Sequence, residues 1–279
     1  MPRTVWYPGH MAKGKRKLEA LAAGLDLLIE VRDARAPRLT SSPMLPLLAP
    51  KIDTAVVLSK ADLAEEKKTK VWAEYLRSKK LRVWSLDLRA GGVSRVLKEL
   101  AARKPAFRDL RVAVVGIPNV GKSMLINRLA GRRAAPVGGI PGITKGVSWF
   151  GGQGFLLADS PGILDPHSDA RAHRIISWLG STRGQIIGSI EEHAKECIEF
   201  MIDRDLWSGV ETAWGVKADG EPYYILENIG KRLGKLKSGG VVDMQAAGRI
   251  FIDSFAVGKF GRMTLEIPED RPIWESLEA

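Results

Sequence analysis

Residues Gly116 to Ser123 read Gly-Ile-Pro-Asn-Val-Gly-Lys-Ser, a complete phosphate-binding loop between an apolar run, Leu110 to Val115, and a helical pattern from Met124 to Ala130. This setting constrains the fold more than any other feature, because such a loop works only where a strand delivers it and a helix begins behind it. Backbone amides then approach phosphate oxygens and the helix N-terminus faces them, while Lys122 reaches the outer phosphates and the Ser123 hydroxyl can ligate Mg²⁺. Asn119, Val120, Gly121, Lys122, Ser123 and Met124 are therefore expected nucleotide contacts. The second constraint is order: Ser59-Lys60-Ala61-Asp62, which has the form of a guanine reader, stands before the phosphate loop instead of after it.

With 279 residues the chain can bury a sizeable core and is expected to form two domains. No apolar run approaches a membrane span, and the start Met1-Pro2-Arg3-Thr4-Val5-Trp6 has no signal-peptide core, so a cytoplasmic protein without membrane partners is expected. Cys197 stands alone and shares helical spacing with Ile190, Ala194, Ile198 and Met201, which makes it a small core residue rather than a nucleophile. The net charge is +11, and residues 1–168 carry 29 Lys and Arg against 14 Asp and Glu, whereas residues 169–279 carry 14 against 18. A basic nucleotide-binding part points to a polyanionic partner, nucleic acid above all.

Strand and helix signals alternate from Asp26-Leu27-Leu28-Ile29-Glu30-Val31, through Thr54 to Leu58, a charged helix reaching Arg77, a strand from Leu81 to Leu86 and a helix from Val93 to Ala102. That alternation predicts an α/β fold with a mainly parallel sheet. The polar run Arg32-Asp33-Ala34-Arg35-Ala36-Pro37 follows the first strand directly, where ligand loops of α/β folds commonly sit. Strands near Val147 to Phe150 and Phe155 to Ala158 lead to Asp159-Ser160-Pro161-Gly162. Leu164 to Ser168 breaks the pattern, and helical periodicity dominates afterwards, at Gln185 to Ile202, Tyr224 to Leu233 and Asp243 to Phe255. The expected organisation is a GTPase domain over residues 1–168 with a basic N-terminal arm, then an all-α domain over 169–279.

A GTP switch must sense the γ-phosphate and read the base. Asp159 ends an apolar strand 36 residues after Ser123, so its carboxylate can hold a Mg²⁺-bound water while the Gly162 amide faces the γ-phosphate. Thr144, between these elements in a Gly- and Pro-rich stretch, is the natural second hydroxyl for Mg²⁺ and a γ-phosphate sensor. For the base, the Asp62 carboxylate can accept from guanine N1 and N2 while the Lys60 stem packs on the ring. Val216-Lys217-Ala218-Asp219 repeats the Lys-x-Asp pattern downstream, but it follows Trp214-Gly215 rather than an apolar strand, so the upstream copy is preferred.

With the base reader ahead of phosphate loop, switch threonine and Asp-x-Pro-Gly, the chain resembles the circularly permuted GTPases, specifically the ribosome biogenesis GTPase A family, also called YlqF. The residues carrying the resemblance are Trp6-Tyr7-Pro8-Gly9-His10-Met11-Ala12-Lys13, Asp33-Ala34-Arg35-Ala36-Pro37, Gly116 to Ser123, Pro141-Gly142-Ile143-Thr144-Lys145 and Gly258-Lys259-Phe260-Gly261-Arg262. The resemblance implies a GTPase of late large-subunit (50S) assembly, stimulated by the ribosomal particle, with a C-terminal helical domain that contacts ribosomal RNA. It implies His10 as a water-positioning catalytic residue, for which an RNA contact is the other reading. It implies Asn119 as a K⁺ ligand, with a structural turn Asn as the alternative. RNA contacts are expected at Lys13, Lys15, Arg16 and Lys17, and at Lys231, Arg232, Lys235 and Lys237, and a monomer is expected.

The chain also departs from the family pattern. Ser59 replaces the usual Asn, and a serine hydroxyl is too short to join base and phosphate loop as an amide does. The Ser-Ala that usually offers an amide to guanine O6 is not legible, and register counted from Asp62 places Asp87 and Leu88 there. Ile163 occupies the position where many GTPases carry a water-orienting Gln, so slow unaided turnover is expected, with supplied groups able to accelerate it by roughly 10³ to 10⁵. Ser59 and Ile163 keep an alternative open, a basic RNA-binding assembly factor with a degenerate, non-hydrolysing guanine-nucleotide site. Asp62 argues against a further alternative, an ATP-using phosphotransferase.

Overall fold

The computed structural model describes residues 24–42, 52–131, 136–137, 148–159, 169–181 and 189–275. His10, Lys13, Lys15, Arg16, Lys17, Thr144 and Gly162 lie outside the described residues. The chain divides into two compact units, Met1–His167 with Thr264–Ile273, and Ser168–Met263 with Trp274–Ala279.

The first unit is built on a sheet of β1 (Leu27–Asp33), β2 (Asp53–Ser59), β3 (Arg82–Ser85), β4 (Leu110–Val115), β5 (Pro136–Val137), β6 (Trp149–Gly151) and β7 (Phe155–Asp159), in the order β3-β2-β1-β4-β7-β6-β5. The run from β3 to β7 is parallel, and β6 and β5 add antiparallel at one edge. Every residue of β1 is buried, and β2 is buried apart from Asp53. Strands covered on both faces read as mainly apolar runs rather than alternating ones, which is why both were legible in the sequence despite the buried Glu30, Arg32 and Asp33 of β1. The connecting helices are α1 (Glu66–Ser78), α2 (Ser94–Ala102) and α3 (Lys122–Ala130). Trp72, Ala73 and Leu76 of α1 pack with Val56, Leu58 and Val83 into one apolar cluster.

Topology positions the site. β1 lies between β2 and β4, so the carboxyl ends of β2, which precedes Lys60-Ala61-Asp62, and of β4, which leads into the phosphate loop, stand two strand spacings apart, about 10 Å. Ligand crevices in open α/β sheets form where the strand order reverses, and here β1 is flanked by strands reached in opposite directions. Residues far apart in sequence, near 60, 88, 120 and 159, thus come to one edge of the sheet.

The second unit holds α4 (Ala170–Trp178), α5 (Ile190–Asp203), α6 (Ser208–Trp214), α7 (Pro222–Arg232) and α8 (Met244–Ala256). α4 and α6 were not resolved from the sequence pattern. Asp169, Ser189 and Asp243 cap the first turns of α4, α5 and α8 with side-chain acceptors. Trp207 and Trp214 pack with Phe251 and Phe260, and Trp178 packs with Phe200. Cys197 is fully buried and burial pushes its thiol up, as a core residue should behave.

The division corrects the expected single boundary after residue 168, because Thr264–Ile273 belongs with the first unit. The physical reason is a set of hydrogen bonds that periodicity cannot reveal. The Trp72 indole N–H donates to the Glu266 carbonyl at 2.7 Å, and the Leu265 N–H donates to the Arg35 carbonyl at 2.8 Å. The Glu266 carboxylate accepts from the N–H groups of Arg38 and Leu39 at 2.6 and 3.0 Å. Leu265 and Ile273 are buried at 3% and 0% exposure.

Candidate nucleotide site

The phosphate loop leaves β4 with Gly116 at φ 149°, where an added Cβ would stand 2.5 Å from the Val31 carbonyl oxygen. Only glycine allows β1 and the loop to approach this closely. Asn119 at φ 55° and Gly121 at φ 105° complete the turn, and α3 starts at Lys122. Lys122 is buried, and its ammonium donates to the Ile117 carbonyl within the loop at 2.8 Å. Ser123 stands exposed in the first helical turn.

Burial pushes the Lys122 ammonium down to about 8, with Asp159 opposing that effect. Burial likewise raises the Asp159 carboxyl, opposed by Lys122. Bound phosphates would favour the charged ammonium, so nucleotide binding above pH 8 takes up a proton. Affinity is then fully present below about 8 and falls as pH rises past it, by up to about tenfold per unit. Calorimetric titration of GDP at pH 7 and pH 9, in two buffers of different ionisation heat, checks this, and equal affinities would refute it.

Next to the loop lies a cavity of about 120 Å³ lined by Ser59, Lys60, Asp62, Leu63, Leu88, Arg89, Asn119, Val120, Gly121 and Met124. Seven of the expected nucleotide contacts therefore share one wall with Leu88, the low-lying half of the Asp87-Leu88 pair. Lys122 and Ser123, in the phosphate loop, lie outside this lining, and two further expected contacts, Asp87 and Ala61, take other positions. Asp87 does not line the cavity; its carboxylate accepts from the Arg89 and Ala90 N–H groups at 2.8 and 3.1 Å, turning the chain so that Leu88 and Arg89 face inward instead. Ala61 packs against the apolar cluster beneath the turn, its N–H donating to the Leu86 carbonyl at 3.2 Å. Arg128 of α3 fixes this loop by donating to the carbonyls of Leu88 and Arg89 at 2.9 and 2.7 Å.

Ser59 is buried at the end of β2, with its hydroxyl 2.6 Å from the Val120 carbonyl and 2.9 Å from the Arg32 carbonyl. Its single proton serves one of these at a time. The hydroxyl thus ties the end of β2 to the phosphate loop.

Lys60 sits at φ 53°, and its ammonium pairs with the fully buried Asp33 carboxylate at 2.8 Å. Arg35 pairs with the same carboxylate at 2.8 Å. Burial opposes ionisation of Asp33, but Arg35 and Lys60 outweigh it and hold the carboxyl well below the usual carboxylate range. The role of Asp33 and Arg35 was missed in the sequence, although an acid at a strand end followed by Arg two positions on was the available signal. The downstream copy Lys217-Ala218-Asp219 is an exposed segment of the helical unit and follows no strand.

The residues at hand suit Mg²⁺. An exposed serine hydroxyl at a helix start and a half-buried carboxylate raised by burial form an oxygen donor set of the kind this ion takes, with nucleotide phosphates supplying the remainder. Of the four basic residues expected to contact RNA in the helical unit, Lys231 pairs with Glu227 at 3.0 Å and the Arg232 guanidinium donates to the Trp214 carbonyl at 3.0 Å. Lys235 is partly and Lys237 largely exposed.

A family model described as 50S ribosome-binding GTPase matches residues 111–228. Ribosome biogenesis GTPase A of Thermotoga maritima is 36% identical over 267 residues, covering 95% of each chain. YlqF solved in a GDP-bound form superposes with a TM-score of 0.67 at 30% identity, covering 91% of this chain and 100% of the other. GNP-bound YlqF from T. maritima gives 0.65 at 29% identity over 93% and 100%. Sequence likeness over nearly the whole length, a solved fold of the same kind and a base-reading strand placed before the phosphate loop agree: the chain belongs to the ribosome biogenesis GTPase A family.

Proposed function

We propose that this ribosome-assembly GTPase binds GTP in the cavity between Lys60 and Met124, docks on a precursor of the large subunit while GTP is bound, and leaves after hydrolysis. The observation that carries the reading is the shared wall of Lys60, Asp62, Asn119, Gly121 and Met124, a base reader and a phosphate loop in a single crevice. Asp62 accepts from guanine N1 and N2, the Lys60 stem and Leu88 flank the ring, and the amides of residues 119 to 123 surround the phosphates. Ser123, with Asp159 through water and Thr144, would hold Mg²⁺, which neutralises charge building on the phosphates. Asn119, in a left-handed turn of the phosphate loop, would help hold a K⁺ ion beside bound phosphates. His10 is the candidate for positioning the attacking water, since Ile163 cannot.

Hydrolysis measured with and without large ribosomal subunits, in Na⁺ and in K⁺, tests the reading. A rate rising at least tenfold with the particle is expected, and no turnover under any condition would leave the non-hydrolysing RNA-binding factor as the better account.

The particle's RNA has a candidate contact at the opposite end of the sheet. The turn before β4 exposes Phe107 completely, between Lys104 and Arg108. Lys79, Lys80 and Arg82 stand at the start of β3 on the same edge, three strand spacings or about 15 Å away. Lys104 pairs with Asp109 at 3.6 Å and Arg108 with Asp26 at 2.6 Å, so the exposed ring rather than free charge is what suits this turn to stacking on an unpaired base. Phe107→Ala is expected to weaken particle binding by roughly 5- to 100-fold, the range of one stacking contact, with GTPase activity in the particle's absence unchanged. Co-sedimentation at fixed salt checks it.

A further inference from the structure

The loop after β1 forms no part of the cavity wall, yet it is committed on one side to residues that do. Asp33 holds the Lys60 ammonium, and the Ala34 N–H donates to the Ser59 carbonyl at 2.8 Å. The loop itself is fixed internally, because the Thr40 hydroxyl donates to the Ala36 carbonyl at 2.6 Å and accepts from the Asp33 N–H at 3.0 Å. On its outer side it is held by the tail, through Leu265 on the Arg35 carbonyl and Glu266 on the Arg38 and Leu39 N–H groups.

The same tail grips the far side of the base-reading turn. The Glu65 N–H donates to the Thr264 hydroxyl at 3.0 Å, and the Thr264 N–H donates to the Glu65 carboxylate at 3.2 Å, three residues beyond Asp62. Trp72 of α1 donates to the Glu266 carbonyl. Lys60-Ala61-Asp62 is thus bracketed: Asp33 and Arg35 precede it in space, Glu65 follows it, and Thr264 to Glu266 joins the two.

We propose that the loop after β1 and the tail segment Thr264–Ile273 form a brace that sets the base-reading turn, with Asp33 and Glu266 acting as positioning residues for guanine recognition. The proposal rests on Lys60-Ala61-Asp62 being the guanine reader. The physical reason is conformational. Lys60 occupies a left-handed φ that a lysine adopts rarely, and such a conformation persists where surrounding contacts over-determine it. The buried carboxylate of Asp33 supplies that contact from below, and Arg35, itself held by the tail through its carbonyl, keeps the carboxylate charged and aimed. With the lysine stem fixed, one face of the base has a rigid shelf, and Asp62 two residues on is delivered to the ring edge without further ordering.

A brace of this kind predicts loss of base selectivity rather than loss of phosphate binding, which a purely stabilising role does not. GDP and ADP should be titrated calorimetrically into wild type, Asp33→Asn, Glu266→Ala and the milder Trp72→Phe, each first shown folded by circular dichroism. Asp33→Asn and Glu266→Ala are expected to weaken GDP at least tenfold and ADP less than threefold, narrowing the GDP-to-ADP preference. Trp72→Phe keeps the aromatic bulk while deleting the indole donor, and should narrow it two- to fivefold. A preference equal to wild type in the folded variants overturns the brace, even if they melt earlier. If the stronger variants do not fold, Trp72→Phe decides alone, and an unchanged preference there overturns it equally. Asp62→Asn separates the two readings: if it retains the wild-type guanine preference, the reader assignment fails, and if it loses that preference while the brace variants keep theirs, the brace fails.

Discussion

Asp62→Asn is expected to exchange GTP for XTP as the preferred substrate. Asp62 lies on the cavity wall two residues beyond Lys60, and in the proposed pose it would meet the ring edge that carries guanine N1 and N2. A carboxylate matches those two donors, whereas an amide matches the donor and carbonyl that xanthine presents. Hydrogen bonds to a charged group contribute about 1.5–3 kcal/mol each, so losing two lowers GTP affinity by roughly 10² to 10⁴. Steady-state kcat/KM for GTP, XTP and ATP measures the effect. A GTP value within about threefold of wild type would remove Asp62 from base recognition.

Ending the chain after Met263 is expected to cost the first unit most of its stability. Leu265 and Ile273 would leave the core, at about 1.5–3 kcal/mol each. The Trp72 indole and the N–H groups of Arg38 and Leu39 would lose their acceptors, at about 1–3 kcal/mol for each donor that stays buried. Set against a total of about 5–15 kcal/mol for a typical domain, that approaches unfolding. Thermal melting should show an early transition that saturating GDP partly restores, since a ligand bound only by the folded form shifts the balance by mass action. A melt within about 2 °C of the full chain would show that the tail is not structural.

The buried strands and the phosphate loop were legible because each writes itself into a short stretch of sequence. β1, β2 and β4 are rich in apolar residues, broken by Glu30, Arg32 and Asp33 in β1 and by Arg111 in β4, and glycines at 116 and 121 sit where close approach and positive φ demand them. The order of motifs was equally plain. Less legible were features made by distant partners. Asp33 reads as one acid in a polar run until the fold sets it 2.8 Å from Lys60. Counting placed Asp87 and Leu88 where an amide could meet the base; Leu88 lines the cavity, while the Asp87 carboxylate accepts from the Arg89 and Ala90 N–H groups. The helices α4 and α6 were not legible: α4 has nine residues and α6 only seven, about two turns. No local pattern marks Thr264–Ile273 as part of the first unit, since its partners lie 194 to 232 positions earlier.

That separation gives the protein a calendar. The base-reading turn is synthesised early, but Thr264, which bonds to Glu65, follows 199 residues later. At translation rates of about 5–20 residues per second, the turn waits roughly 10–40 s for its last contacts. A nascent chain of this protein therefore carries its phosphate loop, finished at Ser123, long before Thr264 can bond to Glu65 behind the turn at Lys60.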